Sequence, residues 1–87
     1  MAEYRLFIKA SAAKEIEAVG TKTDRSRIVE RIQAIGADPR GAGSETLAGY
    51  ADRYRVRQGK YRIVYLTDNR CIELIIFKVG HRKDAYR

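Results

Sequence analysis

Residues 54–65 read YRVRQGKYRIVY, in which basic and apolar residues alternate up to Gln58-Gly59 and alternate again from Lys60 onward. Period-two alternation marks a strand with one wet and one dry face, and an interrupting glycine marks the turn of a hairpin. With Gln58-Gly59 as a two-residue turn, Arg57 faces Lys60 and Arg55 faces Arg62. Arg53, Arg55, Arg57, Lys60 and Arg62 then share one face, and Tyr54, Val56, Tyr61, Ile63 and Tyr65 share the other. Gln58 suits a type I′ turn poorly, so a bulged turn with a shifted register stays open.

The hairpin extends on the C-terminal side. Asp68-Asn69-Arg70 supplies a second turn, and Cys71 to Val79 a further strand whose core, Ile72 to Phe77, is almost continuously apolar. Such a run predicts a strand buried on both faces and central in its sheet. Upstream, Tyr4 to Lys9 reads as a first strand, and Ser11 is placed to cap a short helix carrying Ala12, Ile16 and Val19. Thr23 or Asp24 caps a second helix, whose stripe of Ile28, Val29, Ile32 and Ile35 ends at Gly36 and Pro39. Ala37 to Thr46, punctuated by Pro39, Gly41 and Gly43, reads as a surface loop. The expected architecture is one α+β domain over residues 1–87, with two N-terminal helices packed on a twisted, mostly antiparallel four-stranded sheet.

Charge follows the same division. Residues 1–52 carry eight Lys/Arg and eight Asp/Glu, whereas residues 53–87 carry ten against three and so hold the whole net charge of +7. Localised positive charge favours a polyanionic partner, and no strongly amphipathic basic helix points to a membrane instead. One cysteine, Cys71, and one histidine, His81, give neither an intramolecular disulfide nor a zinc cluster of ordinary spacing, so no cofactor or metal is expected. Glu3, Arg5 and Lys9 interrupt any apolar signal stretch, and no later run reaches membrane-spanning length, which makes a cytoplasmic protein the expectation.

Clustered like charges repel, and a sheet face tolerates them more readily when an anion fills the patch. The plainer alternative is a set of long side chains extending into water around a solvated face. Guanidinium forks match phosphate oxygens bidentately and stay charged at every working pH. The interleaved Tyr54, Tyr61 and Tyr65 suit either base stacking or the core, and alternation places them on the dry face. The last residues, Gly80-His81-Arg82-Lys83-Asp84-Ala85-Tyr86-Arg87, follow the apolar strand directly, where their side chains can reach the basic face. His81 is an acid–base candidate by side-chain type, and its alternative is a structural or surface role. Tyr86 is a second candidate, because neighbouring guanidinium groups favour the phenolate; its alternative is an aromatic plug.

At these residues the chain resembles the RelE/ParE superfamily of bacterial toxins from toxin–antitoxin systems, and within it the RelE branch of ribosome-dependent messenger-RNA endonucleases. The resemblance runs through Tyr4 to Ser11, Asp38-Pro39-Arg40, Leu47-Ala48-Gly49, the YRVRQGKYRIVY hairpin and Val79-Gly80-His81-Arg82 with a later tyrosine. It implies a catalytic set of Arg55, Arg57, Arg62, Arg82 and Tyr86, with Arg53, Lys60, His81 and Lys83 as further RNA contacts. In the implied reaction Tyr86 is the general base for the 2′-OH, Arg62 stabilises the non-bridging oxygens, and Arg82 positions phosphate or protonates the leaving oxygen. Arg55 and Arg57 stand where some relatives have lysines, which removes any route to a deprotonated amine there. The implied partners are a small, partly acidic, helical cognate antitoxin, the ribosome and its messenger RNA. Two other functions keep the same fold: a ParE-like inhibitor of DNA gyrase, and an inactive nucleic-acid-binding relic.

Overall fold

The middle of the sheet is its driest part. The computed structural model describes residues 4–39, 44–47 and 52–81. In chain order it contains β1 (Arg5–Ile8), α1 (Ala10–Glu17), α2 (Lys22–Ala37), β2 (Ser44–Thr46), β3 (Arg53–Gln58), β4 (Tyr61–Asp68) and β5 (Glu73–His81). The five strands are ordered β1-β5-β4-β3-β2, so β4 holds the centre. β1 runs parallel to β5, and every other neighbouring pair is antiparallel. The α+β class and the mostly antiparallel sheet are as expected. The strand count is five rather than four, and β1 precedes the two helices.

The extra strand, β2, lies within the expected surface loop. Three residues are too short to show a period, and Ser44–Thr46 becomes a strand because Glu45 and Thr46 find Arg55 and Tyr54 across from them. Tertiary pairing overrides weak local preference here. β5 is likewise not the doubly buried centre expected of it: Leu74, Ile76 and Val79 are buried, while the residues between them are half-exposed.

Both helices begin earlier than their expected caps. α1 starts at Ala10 behind Lys9, which makes no side-chain cap, so Ser11 lies inside the helix. α2 is capped by Thr21, whose hydroxyl accepts the Asp24 backbone N–H at 3.2 Å, placing Asp24 in the first turn, where a carboxylate suits the positive end of the helix. Gly36 does not end α2, which continues to Ala37.

The helices cover one face of the sheet. Ala12, Ile16, Val19, Ile28, Ile32 and Ile35 meet Tyr54, Val56, Ile63, Tyr65, Leu74, Ile76 and Val79 in one core, with Tyr61 packed against its margin. Tyr54 and Tyr65, cross-strand partners, stack with ring centroids 5.4 Å apart, and the Tyr65 hydroxyl donates to the Pro39 carbonyl. The tyrosines are therefore core residues, as their alternation with the arginines predicts.

The β4–β5 turn holds a residue in an uncomfortable backbone conformation. Asp68 accepts from the backbone N–H groups of Arg70 and Cys71 at 2.9 and 3.3 Å, closing a side-chain turn. Ile72 follows at φ +54°, a left-handed conformation that a β-branched residue adopts at a cost of about 1–2 kcal/mol. Its carbonyl accepts the Arg5 N–H at 2.7 Å, which starts the β1–β5 ladder and holds the residue there. Asparagine tolerates this conformation, and Ile72 is already partly exposed. Ile72→Asn is expected to raise stability by about 0.5–1 kcal/mol, seen as a higher urea midpoint at unchanged m value.

Candidate anion-binding face

The β3–β4 hairpin turns one residue later than its alternation suggests. Gly59, at φ +60°, takes the first central position and Lys60 the second, as in a type II′ turn. Gln58 thus pairs with Tyr61 and Arg57 with Arg62, while Arg55 faces Val64 and Arg53 faces Leu66. Cross-strand partners share a face, so Arg53, Arg55, Arg57 and Arg62 do lie together, opposite the helices. Lys60 belongs to the turn itself and not to this row.

On this outer face the residues form graded rows across the sheet. At the hairpin end the row is Arg57, Arg62 and Gly80; the next is Glu45, Arg55, Val64 and Lys78. Beyond these come Arg53, Leu66, Ile75 and Phe7, and then Asp68, Glu73 and Arg5. Charge therefore passes from cationic at one end, through apolar, to a mixed row with two carboxylates at the other.

Arg57 and Arg62 are the decisive pair. Two guanidinium side chains stand on directly opposed strand positions, about 5 Å apart at their Cα atoms, an arrangement that destabilises a sheet unless something offsets the repulsion. Arg57 is exposed, whereas Arg62 is only 6% exposed. A guanidinium partly withdrawn from water acts on a neighbouring anion with less screening than a surface one. Gly80, beside Arg62 on β5, adds no side chain to that row. Arg53 lies over the Phe77 ring at 5.7 Å, a cation–π contact that lays it along the face.

A bulge decides what β5 contributes. The register shifts between Val64 and Tyr65, leaving Phe77 as an extra residue. Leu74 and Ile76 face the helices before the bulge, and Val79 does so after it. His81 consequently pairs with Tyr61 on the helix side, its ring edge-on to the tyrosine at 5.6 Å. The sheet brings Arg53, Arg55, Arg57 and Arg62 together but does not bring His81 to them. Arg82, Lys83 and Tyr86, the remaining residues of the expected set, lie outside the described residues.

Two carboxylates absent from the sequence reading act at the edges. Glu45 bonds Arg55 directly, accepting from Nε at 3.2 Å and Nη2 at 3.1 Å. Glu15 of α1 accepts the Val79 backbone N–H at 3.0 Å and meets the Lys78 ammonium at 3.4 Å, capping the stretch of β5 that β1 leaves uncovered. Neither partner is visible in a pattern of i and i+2 residues, since each depends on which elements become neighbours.

Asp68, Cys71 and Glu73 gather donor atoms within 4.8 Å of one another. Their geometry is accounted for otherwise: Asp68 closes the turn, and Glu73 pairs with Arg5 at 3.0 Å. The Cys71 thiol is raised above its ordinary value, chiefly by the Asp68 carboxylate, then by desolvation and Glu73, so it is a poor nucleophile.

This two-helix, five-stranded architecture is the fold of RelE toxins. It matches the archaeal RelE–RelB complex from Pyrococcus horikoshii with a TM-score of 0.82 at 24% identity, covering 95% of this chain and 99% of that one. The RelBE2 toxin–antitoxin complex from Mycobacterium tuberculosis matches with a TM-score of 0.80 at 20% identity, over 93% of this chain and 100% of that one. The isolated E. coli RelE toxin matches at 0.78 and 25%, over 95% and 90%. No curated protein matches by sequence. The family described as the ParE toxin of the type II toxin–antitoxin system, parDE, matches residues 6–86. The chain belongs to that family, and so to the RelE/ParE superfamily of toxins.

Proposed function

We propose that this toxin is a RelE-like endoribonuclease that cuts messenger RNA in the ribosomal A site and so stops translation. The observation that carries the reading is the directly opposed Arg57–Arg62 pair, with Arg55 on the same face and Arg62 withdrawn from solvent. A row of guanidinium groups suits the charge that develops on a phosphate under attack.

RNA brings its own nucleophile, so the reaction needs no metal. Tyr86 takes the proton of the 2′-OH, the 2′ oxygen bonds to phosphorus, and the bond to the 5′ oxygen breaks. The leaving oxygen takes a proton from water while Arg82 positions the phosphate, giving a 2′,3′-cyclic phosphate and a 5′-hydroxyl. Arg62 holds the non-bridging oxygens, while Arg55 and Arg57 grip the backbone and favour the phenolate. Arg53, Lys60 and Lys83 extend the contact with RNA. His81, placed on the helix side, supports the end of β5 against Tyr61.

A cognate antitoxin is the expected partner, and apolar anchors are expected to carry most of its affinity. Leu6, Phe7, Ile8, Val29 and Ile72 are exposed large apolar side chains, three of them consecutive in the edge strand β1.

The test is to map message ends by primer extension after brief induction. New ends within translated codons are expected, and Tyr86→Phe is expected to lower their formation at least about a hundredfold. The second reading, gyrase inhibition, rests on the match to the ParE family. It predicts DNA-damage signalling with intact messages, an outcome that would replace the nuclease reading.

A further inference from the structure

The Glu45–Arg55 contact assigns the short strand β2 a role at the site. Glu45 and Arg55 are direct cross-strand partners. Both Nε and Nη2 of Arg55 are directed at one oxygen of Glu45, at 3.2 and 3.1 Å. That edge of the guanidinium is one with which arginine grips a phosphate bidentately.

The Glu45 side chain is 68% exposed and that of Arg55 33%. An ion pair so open to water is weak and exchanges readily. A phosphate arriving at Arg55 meets the Glu45 carboxylate as a like charge competing for the same donors. We infer that Glu45 is a built-in competitor for RNA phosphate: it occupies Arg55 in the free toxin, and the incoming backbone displaces it. This rests on the reading of the arginine face as an RNA site. Glu45 is thus a specificity-determining residue that acts through Arg55, setting how strongly the toxin holds single-stranded RNA.

The experiment measures binding of a single-stranded 2′-O-methyl RNA oligonucleotide, which lacks the attacking hydroxyl, to the full chain over a range of salt. Glu45→Gln is expected to tighten binding about two- to fivefold, the worth of one exposed ion pair. The slope of log K against log salt is expected to change by less than about 0.7, the contribution of one phosphate contact on a single strand, because Arg55 meets phosphate in both proteins. In an Arg55→Gln background the same substitution is expected to change neither quantity, because the effect passes through Arg55. Glu45→Asp, with the charge retained, is expected to bind within about twofold of the parent.

Unchanged or weaker binding by Glu45→Gln, or an equal gain in both backgrounds, overturns the inference. Arg57→Gln separates this failure from failure of the underlying reading. If it weakens binding while Glu45→Gln does nothing, the face binds RNA and Glu45 does not compete. If it leaves binding untouched, the face is not an RNA site, and both ideas fall together.

Discussion

Arg62→Gln is expected to lower message cleavage on translating ribosomes at least about a hundredfold, or about 2.7 kcal/mol of transition-state stabilisation. Arg62 lies on the centre strand, directly opposite Arg57, with little exposure to water. In the proposed reaction, a charge so placed acts on a phosphorane-like centre with little solvent screening, and a neutral amide does not replace it. Glutamine is preferred to alanine because the side chain is buried and truncation would add a packing defect. Removing one of two facing like charges relieves repulsion, so thermal stability is expected to hold or rise slightly. Arg62→Lys separates charge from shape: it keeps the charge but loses the planar fork, and is expected to recover only part of the rate. Full cleavage by Arg62→Gln, with normal message ends, removes Arg62 from the mechanism.

The largest expected effect on folding is at Leu74. It has no solvent exposure, and its cross-strand partners are Leu6 on β1 and Thr67 on β4. Leu74→Ala removes buried methyl groups where sheet and helices meet, at an expected cost of about 2–5 kcal/mol. Against a total of about 5–15 kcal/mol for an ordinary domain, that loss consumes a large share of the folding free energy. Urea unfolding is the measurement, with Phe7→Ala as the reference. Phe7 is 46% exposed on the outer side of the edge strand, and its truncation is expected to shift stability by no more than about 0.5 kcal/mol. Equal losses at the two positions would contradict the burial described for the sheet.

The contrast between sequence and structure has a physical pattern. The meander of β3, β4 and β5 and the separation of arginines from tyrosines were legible because a period of two survives any modest error in the turn. The pairing of Arg57 with Arg62 was not, because it depends on Gly59 taking the first turn position in place of Gln58. Nor was the bulge at Phe77 legible in the almost continuously apolar run of Ile72 to Phe77. That one extra residue sends His81 to the helix side and Gly80 to the arginine side. β2 and its Glu45 were invisible for another reason: three residues have no period, and their strand character comes from the neighbour they meet. Of the candidate site, Arg53, Arg55, Arg57 and Arg62 were placed together correctly by alternation. Arg82, Lys83 and Tyr86 rest on the sequence resemblance.

The parallel pairing of β1 with β5 also governs when this protein comes into being. Arg5 and Glu73 are 68 positions apart, and β1 has β5 as its sheet neighbour. The first strand to leave a ribosome therefore waits for the last, and contacts of such separation form slowly. Until β5 arrives, Leu6 and Ile8 have no strand to lie against, and Arg62 lacks its cross-strand partner Gly80. The nascent chain thus carries its arginines through synthesis without the sheet that arranges them. A chain stopped before β5 lacks the strand on which both β1 and β4 pair.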